Sequence, residues 1–137
     1  MQINPYLNFN GNCAEAFKFY EQVLGGKILF SMTWGEMPGA AEHFPPETHS
    51  RIMHVNFKVG EQSIMGADSP PDKYQGAKGM AVSIHVKDKS EGERIFKALS
   101  EGGNVTMPFE ETFWSKGFGM CVDRFGIPWM VNTEQQP

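Results

Sequence analysis

Apolar and polar positions along the chain set out the same succession of elements twice. In residues 12–24 (NCAEAFKFYEQVL), Ala16, Phe17, Tyr20, Val23 and Leu24 fall at i, i+1, i+4, i+7 and i+8, one apolar stripe at helical period. Asn12 reads as the N-cap of this helix, Glu15 as its capping partner, and Gly25-Gly26 as its end. The β-like run Lys27–Trp34 follows. Residues 90–101 (SEGERIFKALSE) repeat the plan with a sparser stripe of Ile95, Phe96 and Leu99. Gly92 weakens that helix. Gly102-Gly103 ends it, and Asn104–Met107 follows. Each half then finishes in a hairpin-like stretch, RIMHVNFKVGEQSIMGAD in the first and FGMCVDRFGIPWMVNT in the second.

Strands are read from alternation. Met53, Val55, Phe57 and Val59 share one face, against Ile52, His54, Asn56 and Lys58. Met80, Val82, Ile84 and Val86 oppose Ala81, Ser83, His85 and Lys87, while Leu7 and Phe9 oppose Tyr6 and Asn8. The apolar faces suit packing under helices. The other faces mix hydroxyl, amide and imidazole groups, which fits a cavity wall better than bulk water. The expected fold is therefore α+β, two βαβββ modules whose curved sheets enclose a cleft. The expected boundaries are 1–68 for the first module, 69–78 (SPPDKYQGAK) for a polar linker and 79–137 for the second. Gly35–Ser50, with three prolines, reads as a surface excursion able to act as a flap.

The 137 residues suit a single domain of paired modules, able to bury a core without disulfide or metal. The net charge of −4 has both signs interspersed and no basic stripe, which argues against nucleic acid and against an anionic membrane. No run approaches the roughly 20 apolar residues that span a bilayer. MQINPYLNF lacks the charged and apolar regions of a signal peptide, so a cytoplasmic location is expected. Cys13 and Cys121 have no metal-type spacing and read as free thiols.

The segments PYLNFNGNCAEAFKFYEQVLGG, ETFWSKGFG and VDRFGIPWMVN resemble the PhnB-like branch of the vicinal oxygen chelate superfamily, the group of glyoxalase I, extradiol dioxygenases and bleomycin-resistance proteins. The resemblance covers essentially the whole chain, and it implies one glyoxalase-like domain over 1–137 and a homodimer. Members of the branch are sometimes labelled demethylubiquinone methyltransferases. No glycine-rich loop after a first strand, of the kind a methyl-donor nucleotide wants, supports that label here. Metal-dependent relatives take one ligand from each of the first, fourth, fifth and eighth strands. On that plan the positions fall at Asn4 or Pro5, Met65, Ala81 and Met130. Two thioethers and a methyl group do not hold a divalent ion of that kind, so no metal and no cofactor is expected.

The remaining candidates are weighed as residues. His54 and His85 on the mixed faces are each a general base or hydrogen-bond donor, or a histidine satisfied by its neighbours. His43 and His49, in the excursion, read as solvated. Glu36, Glu110 and Glu111 lie near the expected cleft rims. Glu111 is the catalytic alternative to His54, because a carboxylate beside Trp114 in a closed pocket could act as an acid; its plainer reading is a loop edge. Trp34 and Trp114 are either ligand walls or packing anchors, and Trp129 reads as core. Cys13, in the first turn of a helix, sits where the macrodipole favours a thiolate. Nine methionines offer a soft lining or core filler. The expected ligand set is Tyr6, Asn8, His54, Asn56, Ser83, His85 and Trp114. The reading is a metal-independent small-molecule binding protein, with a small lyase, isomerase or transferase acting on a carbonyl or phosphonate-type metabolite as the alternative. A structural interaction module would be indicated by a cleft filled with side chains.

Overall fold

The computed structural model describes residues 1–134. Met1–Gly76 form one compact unit, and a second begins at Ala77. The architecture is α+β with two four-stranded sheets, neither of them closed. Among the described residues no helix is long and apolar enough to cross a membrane.

In the first unit, β1 (Tyr6–Phe9) leads into helix α1 (Cys13–Leu24), then β2 (Lys27–Thr33), β3 (Ile52–Val59) and β4 (Gln62–Asp68). The sheet order is β1-β4-β3-β2, with β1 parallel to β4 and the other pairs antiparallel. The α1 stripe buries Cys13, Ala16, Phe17, Tyr20 and Val23. Phe17 is its centre, with ring centroids 5.9 Å from Phe9, 5.4 Å from Tyr20 and 6.0 Å from Phe57. Burying one such ring contributes about 1.5–3 kcal/mol. Phe17 also explains Gly66 on β4: a Cβ there would lie 2.7 Å from the Phe17 ring and 2.8 Å from the Leu7 carbonyl oxygen.

Two local expectations are corrected here. The Asn12 side chain makes no capping bond, and the Glu15 capping box is not formed. Instead the buried Asp68, at the far end of β4, accepts the Gly11 and Cys13 amide protons at 2.7 and 3.1 Å. On β3, Ile52 is buried while Met53 is only half-buried. A register shift between Met32 and Thr33 pairs Thr33 with Ile52 and Met32 with His54, so Met53 drops out of the alternation.

The excursion after β2 is structured. Two 3-10 turns, Trp34–Glu36 and Pro46–Thr48, flank a short helix α2 (Ala40–His43). Its ends are tied by Trp34 N–H to the Arg51 carbonyl and Gly35 N–H to the His49 carbonyl, both at 2.9 Å. His43 is exposed, whereas His49 is partly buried and its Nε2 lies 3.0 Å from the Phe44 carbonyl oxygen, so it is not simply solvated. Trp34 sits edge-on to Phe44 at 5.0 Å and donates its indole proton to the Asp68 carbonyl at 3.1 Å. That makes Trp34 an anchor for the excursion. Glu36 accepts from Thr33 N–H and Oγ1–H in a local cap.

The second unit repeats the plan with β5 (Val82–Val86), α3 (Lys89–Ser100), β6 (Asn104–Glu110), β7 (Phe118–Val122) and β8 (Pro128–Thr133), in order β5-β8-β7-β6. Asp88 caps α3 by accepting from Ser90 N–H at 3.3 Å. Ile95, Phe96 and Leu99 are buried. Gly92 has a packing reason: a Cβ would come within 3.1–3.2 Å of Thr133, Val86 and Phe109 side chains, so the glycine lets the helix sit close on its sheet. Met80, expected on the covered face, is 79% exposed because the strand starts only at Val82. Pro108 falls inside β6, an edge strand interrupted by register shifts, where a missing N–H is tolerated.

Candidate functional site

Each sheet has one face under its helix, and the residues named from alternation lie on the other. In the first unit Leu7, Phe9, Val55 and Phe57 are buried, Tyr6 and Asn8 are exposed, and His54 and Asn56 are half-buried. The structure joins Tyr6 to His54: the phenol oxygen lies 3.0 Å from Nδ1, and the rings stack with centroids 5.7 Å apart. Phe30 of β2 tilts against the same imidazole at 6.2 Å. Met65 is in register with both Tyr6 and Asn56, and Met32 with His54, so thioethers fill the face between the polar groups. Burial, and secondarily the charge of Cys13, raises the Tyr6 pKa above that of an ordinary phenol. The contact is met either by the Tyr6 O–H donating to Nδ1 or by Nδ1–H donating to the phenol oxygen. The Asn56 Oδ1 atom is buried without a hydrogen-bond partner.

The second unit has a comparable group. Ser83 Oγ lies 2.9 Å from His85 Nε2, and Asn132 Nδ2 lies 3.4 Å from His85 Nδ1. Ser83 and His85 are exposed, and Asn132 Oδ1, like Asn56 Oδ1, is buried without a partner. Trp114, 44% exposed, packs edge-on to Phe113 at 4.8 Å and to Phe118 at 5.4 Å. Phe118 is the register partner of Asn132. Its loop is held by Thr112, whose Oγ1 accepts from Trp114 and Ser115 N–H. Glu110 and Glu111 are both exposed, so Glu111 does not have the closed surroundings that an acid role was expected to use.

Phe30, Phe118 and Asn132 were not singled out from the sequence. Asn132 carried a signal, since it alternates with the buried Val131 and Thr133 in VNT. Phe30 and Phe118 looked like ordinary strand apolar residues.

Among the described residues no three His, Cys, Asp or Glu side chains group as metal ligands. Met65 on β4 and Met130 on β8, with Ala81 just before β5, occupy the positions where the resemblance puts ligands. They do not fit a divalent ion.

Cys13 is fully buried, which corrects the thiolate expectation. Burial, with the Asp68 charge adding to it, drives its thiol far up; Cys121 is pushed up to about 11 by burial, with Asp123 adding. The unfolded chain's cysteines ionise near pH 8.5, so above that the folded state keeps protons the unfolded state has lost. Stability is expected to fall as pH rises from about 8.5 toward 11. Thiol titration with a disulfide reagent at pH 8 should find neither cysteine reactive until denaturant is added. Rapid labelling of Cys13 in the native protein would show the first turn to be open.

A family model described as 3-demethylubiquinone-9 3-methyltransferase matches residues 1–132. Protein YjdN of Escherichia coli is 37% identical over 147 residues, covering 100% of this chain and 99% of YjdN. Protein PA1353 from Pseudomonas aeruginosa is 47% identical with a TM-score of 0.90, each chain covered to 99%. A PhnB protein from Bacillus cereus shares the fold at 22% identity and a TM-score of 0.81, covering 97% of this chain and 99% of its own. The fosfomycin resistance protein FosX from Listeria monocytogenes shares it at 7% identity and 0.68, covering 98% and 94%. The chain therefore belongs to the family described as 3-demethylubiquinone-9 3-methyltransferase, and it has the fold of the PhnB and fosfomycin resistance proteins.

Proposed function

We propose that this protein binds a small organic molecule without a metal, through the mixed faces of its sheets. Tyr6, Asn8, His54 and Asn56 are the contact groups of the first unit, and Ser83, His85 and Trp114 those of the second. The observation that carries this reading is that each open face sets a histidine among hydrogen-bonding groups, Tyr6 at His54 and Ser83 with Asn132 at His85. The exposed aromatic surface of Tyr6, Phe30 and Trp114 adds apolar contact.

The Tyr6–His54 hydrogen bond favours one alternative, a small lyase, isomerase or transferase in which His54 moves a proton. Methyl transfer is not favoured. The first strand leads to Asn10-Gly11-Asn12 and not to a glycine-rich cradle, and its sheet lacks the doubly wound order that binds nucleotides. The two buried free thiols suit a reducing compartment such as the cytoplasm. A homodimer is proposed as well, because β2 and β6 are edge strands exposing Leu29 and Val105, which a second copy would cover.

A fragment library titrated into isotope-labelled protein tests this reading, with backbone resonances as the readout. Shifts should concentrate on β1, β3 and β5 and on the loop carrying Trp114. Trp114→Ala should weaken a ligand mapped to the second unit by about 1–3 kcal/mol. The same sample should sediment at twice the chain mass. Shifts confined to the helices, or none with any fragment, would refute small-molecule binding on these faces.

A further inference from the structure

Three methionines stand side by side on one face of the second sheet. Met107 of β6 is in register with Met120 of β7, and Met120 with Met130 of β8, so they form one row across adjacent strands. The row lies on the face away from α3. Gly119 and Cys121 on either side of Met120 are buried, as are Trp129 and Val131 on either side of Met130. Met120 and Met130 themselves are half-buried, and Met107 is 42% exposed. In a regular strand residues 107 and 109 would share a face. β6 instead shifts register both before and after Met107, and such bulges re-aim a side chain locally. Met107 is thereby set opposite Met120, while Phe109 packs on Phe96 of α3 with ring centroids 5.6 Å apart. The row ends at Ser83 of β5, so it contains no carboxylate, imidazole or thiol. The corresponding row of the first sheet, Phe30, Asn56, Met65 and Tyr6, holds a single thioether.

A thioether is a soft, uncharged donor with no proton to lose. Such ligands select Cu(I), whereas zinc takes thiolate, imidazole or carboxylate, and magnesium and calcium take oxygen. Neighbouring strands are about 4.7–4.9 Å apart, and a methionine side chain has three rotatable bonds. The outer two chains can therefore lean toward Met120 and bring three sulfurs to one ion with the backbone unmoved. We propose that Met107, Met120 and Met130 form a site for the soft monovalent cation Cu(I), with their three sulfurs as its ligands. Met130 stands where the divalent-metal plan asks for a harder donor, and a soft ion is the chemistry that this replacement leaves. The site is separate from the small-molecule reading, whose second-unit contacts are Ser83, His85 and Trp114.

Silver(I) is the probe, because it matches Cu(I) in charge and softness and is not oxidised by air. It is added as the nitrate, in chloride-free buffer, to protein labelled at its methionine methyl carbons. One equivalent should shift the methyl resonances of Met107, Met120 and Met130 together and leave Met80, exposed ahead of β5, where it was. Zn(II) and Mg(II) should move none of the three. Met120→Leu keeps the volume of the side chain. It should weaken silver binding by at least about 10-fold, the scale of losing even an outer-shell contact at a metal site. Met80→Leu should leave the affinity unchanged. Silver taken up without moving the three methyls would lie at the cysteine thiols and overturns the site. Equal shifts with Zn(II), or equal silver affinity in the Met120→Leu and Met80→Leu proteins, overturns it as well. The methyl shifts are read on the wild-type protein, so the test stands even where Met120→Leu folds poorly.

Discussion

Replacing Asp68 by alanine is expected to destabilise the protein by about 3–5 kcal/mol, a large share of the 5–15 kcal/mol typical of a domain. The carboxylate is buried and ties three stretches of chain together. Oδ1 accepts from Gly11 and Cys13 N–H at 2.7 and 3.1 Å, and Oδ2 from Ile52 N–H at 2.8 Å. Alanine would leave these donors at the α1 start and the β3 start without their acceptor. Asp68→Asn separates the causes. It preserves volume and one acceptor oxygen, but turns an N–H₂ group toward the Ile52 amide, so it should fall between wild type and alanine. Urea unfolding followed by circular dichroism gives both values. A midpoint unchanged in Asp68→Ala would mean that water or a neighbouring side chain takes over all of these bonds.

Trp129→Ala is expected to cost a similar amount, about 3–5 kcal/mol. Trp129 is fully buried on β8, in register with Cys121 and Val82, and is the largest fully enclosed side chain among the described residues. Its indole N–H donates to Asp123 Oδ2 at 2.8 Å, while Asp123 Oδ1 accepts from the Phe125 and Ile127 amides at 2.9 and 3.0 Å. The tryptophan thus packs the second unit and helps to fix the turn between β7 and β8. Trp129→Phe keeps most of the volume and withdraws only the donor, so its expected cost is about 1–3 kcal/mol. If phenylalanine proved as damaging as alanine, the carboxylate bond and not the ring's volume would dominate.

The elements were legible where a one-dimensional pattern decides them. A 3.6-residue period put Phe17 and Tyr20 under α1, and Ile95 and Phe96 under α3. A two-residue period separated Tyr6 and Asn8 from Leu7 and Phe9, and Ser83 and His85 from their covered neighbours. The same pattern misassigned Ile52 and Met53, because a bulge depends on the partner strand. It also missed the helix cap, because Asp68 reaches Cys13 from 55 residues away and no local motif announces it. Gly92 looked like a defect of α3 and is a close contact instead.

The candidate site divides in the same way. Which face carries His54, Asn56, Ser83 and His85 followed from alternation alone. That Tyr6 meets His54 across 48 residues, that Asn132 joins His85 across 47, and that two amide oxygens are left without partners, follows only from strand pairing. The sequence by itself determined the repeated βαβββ order and the face on which each strand residue lies, since backbone geometry imposes those periods whatever the neighbours are. Tertiary structure decided which side chains meet, how each imidazole is tethered and where an acceptor is left over. Hydrogen bonds depend on distance and direction between residues far apart in the chain, and those are set only when the strands pair.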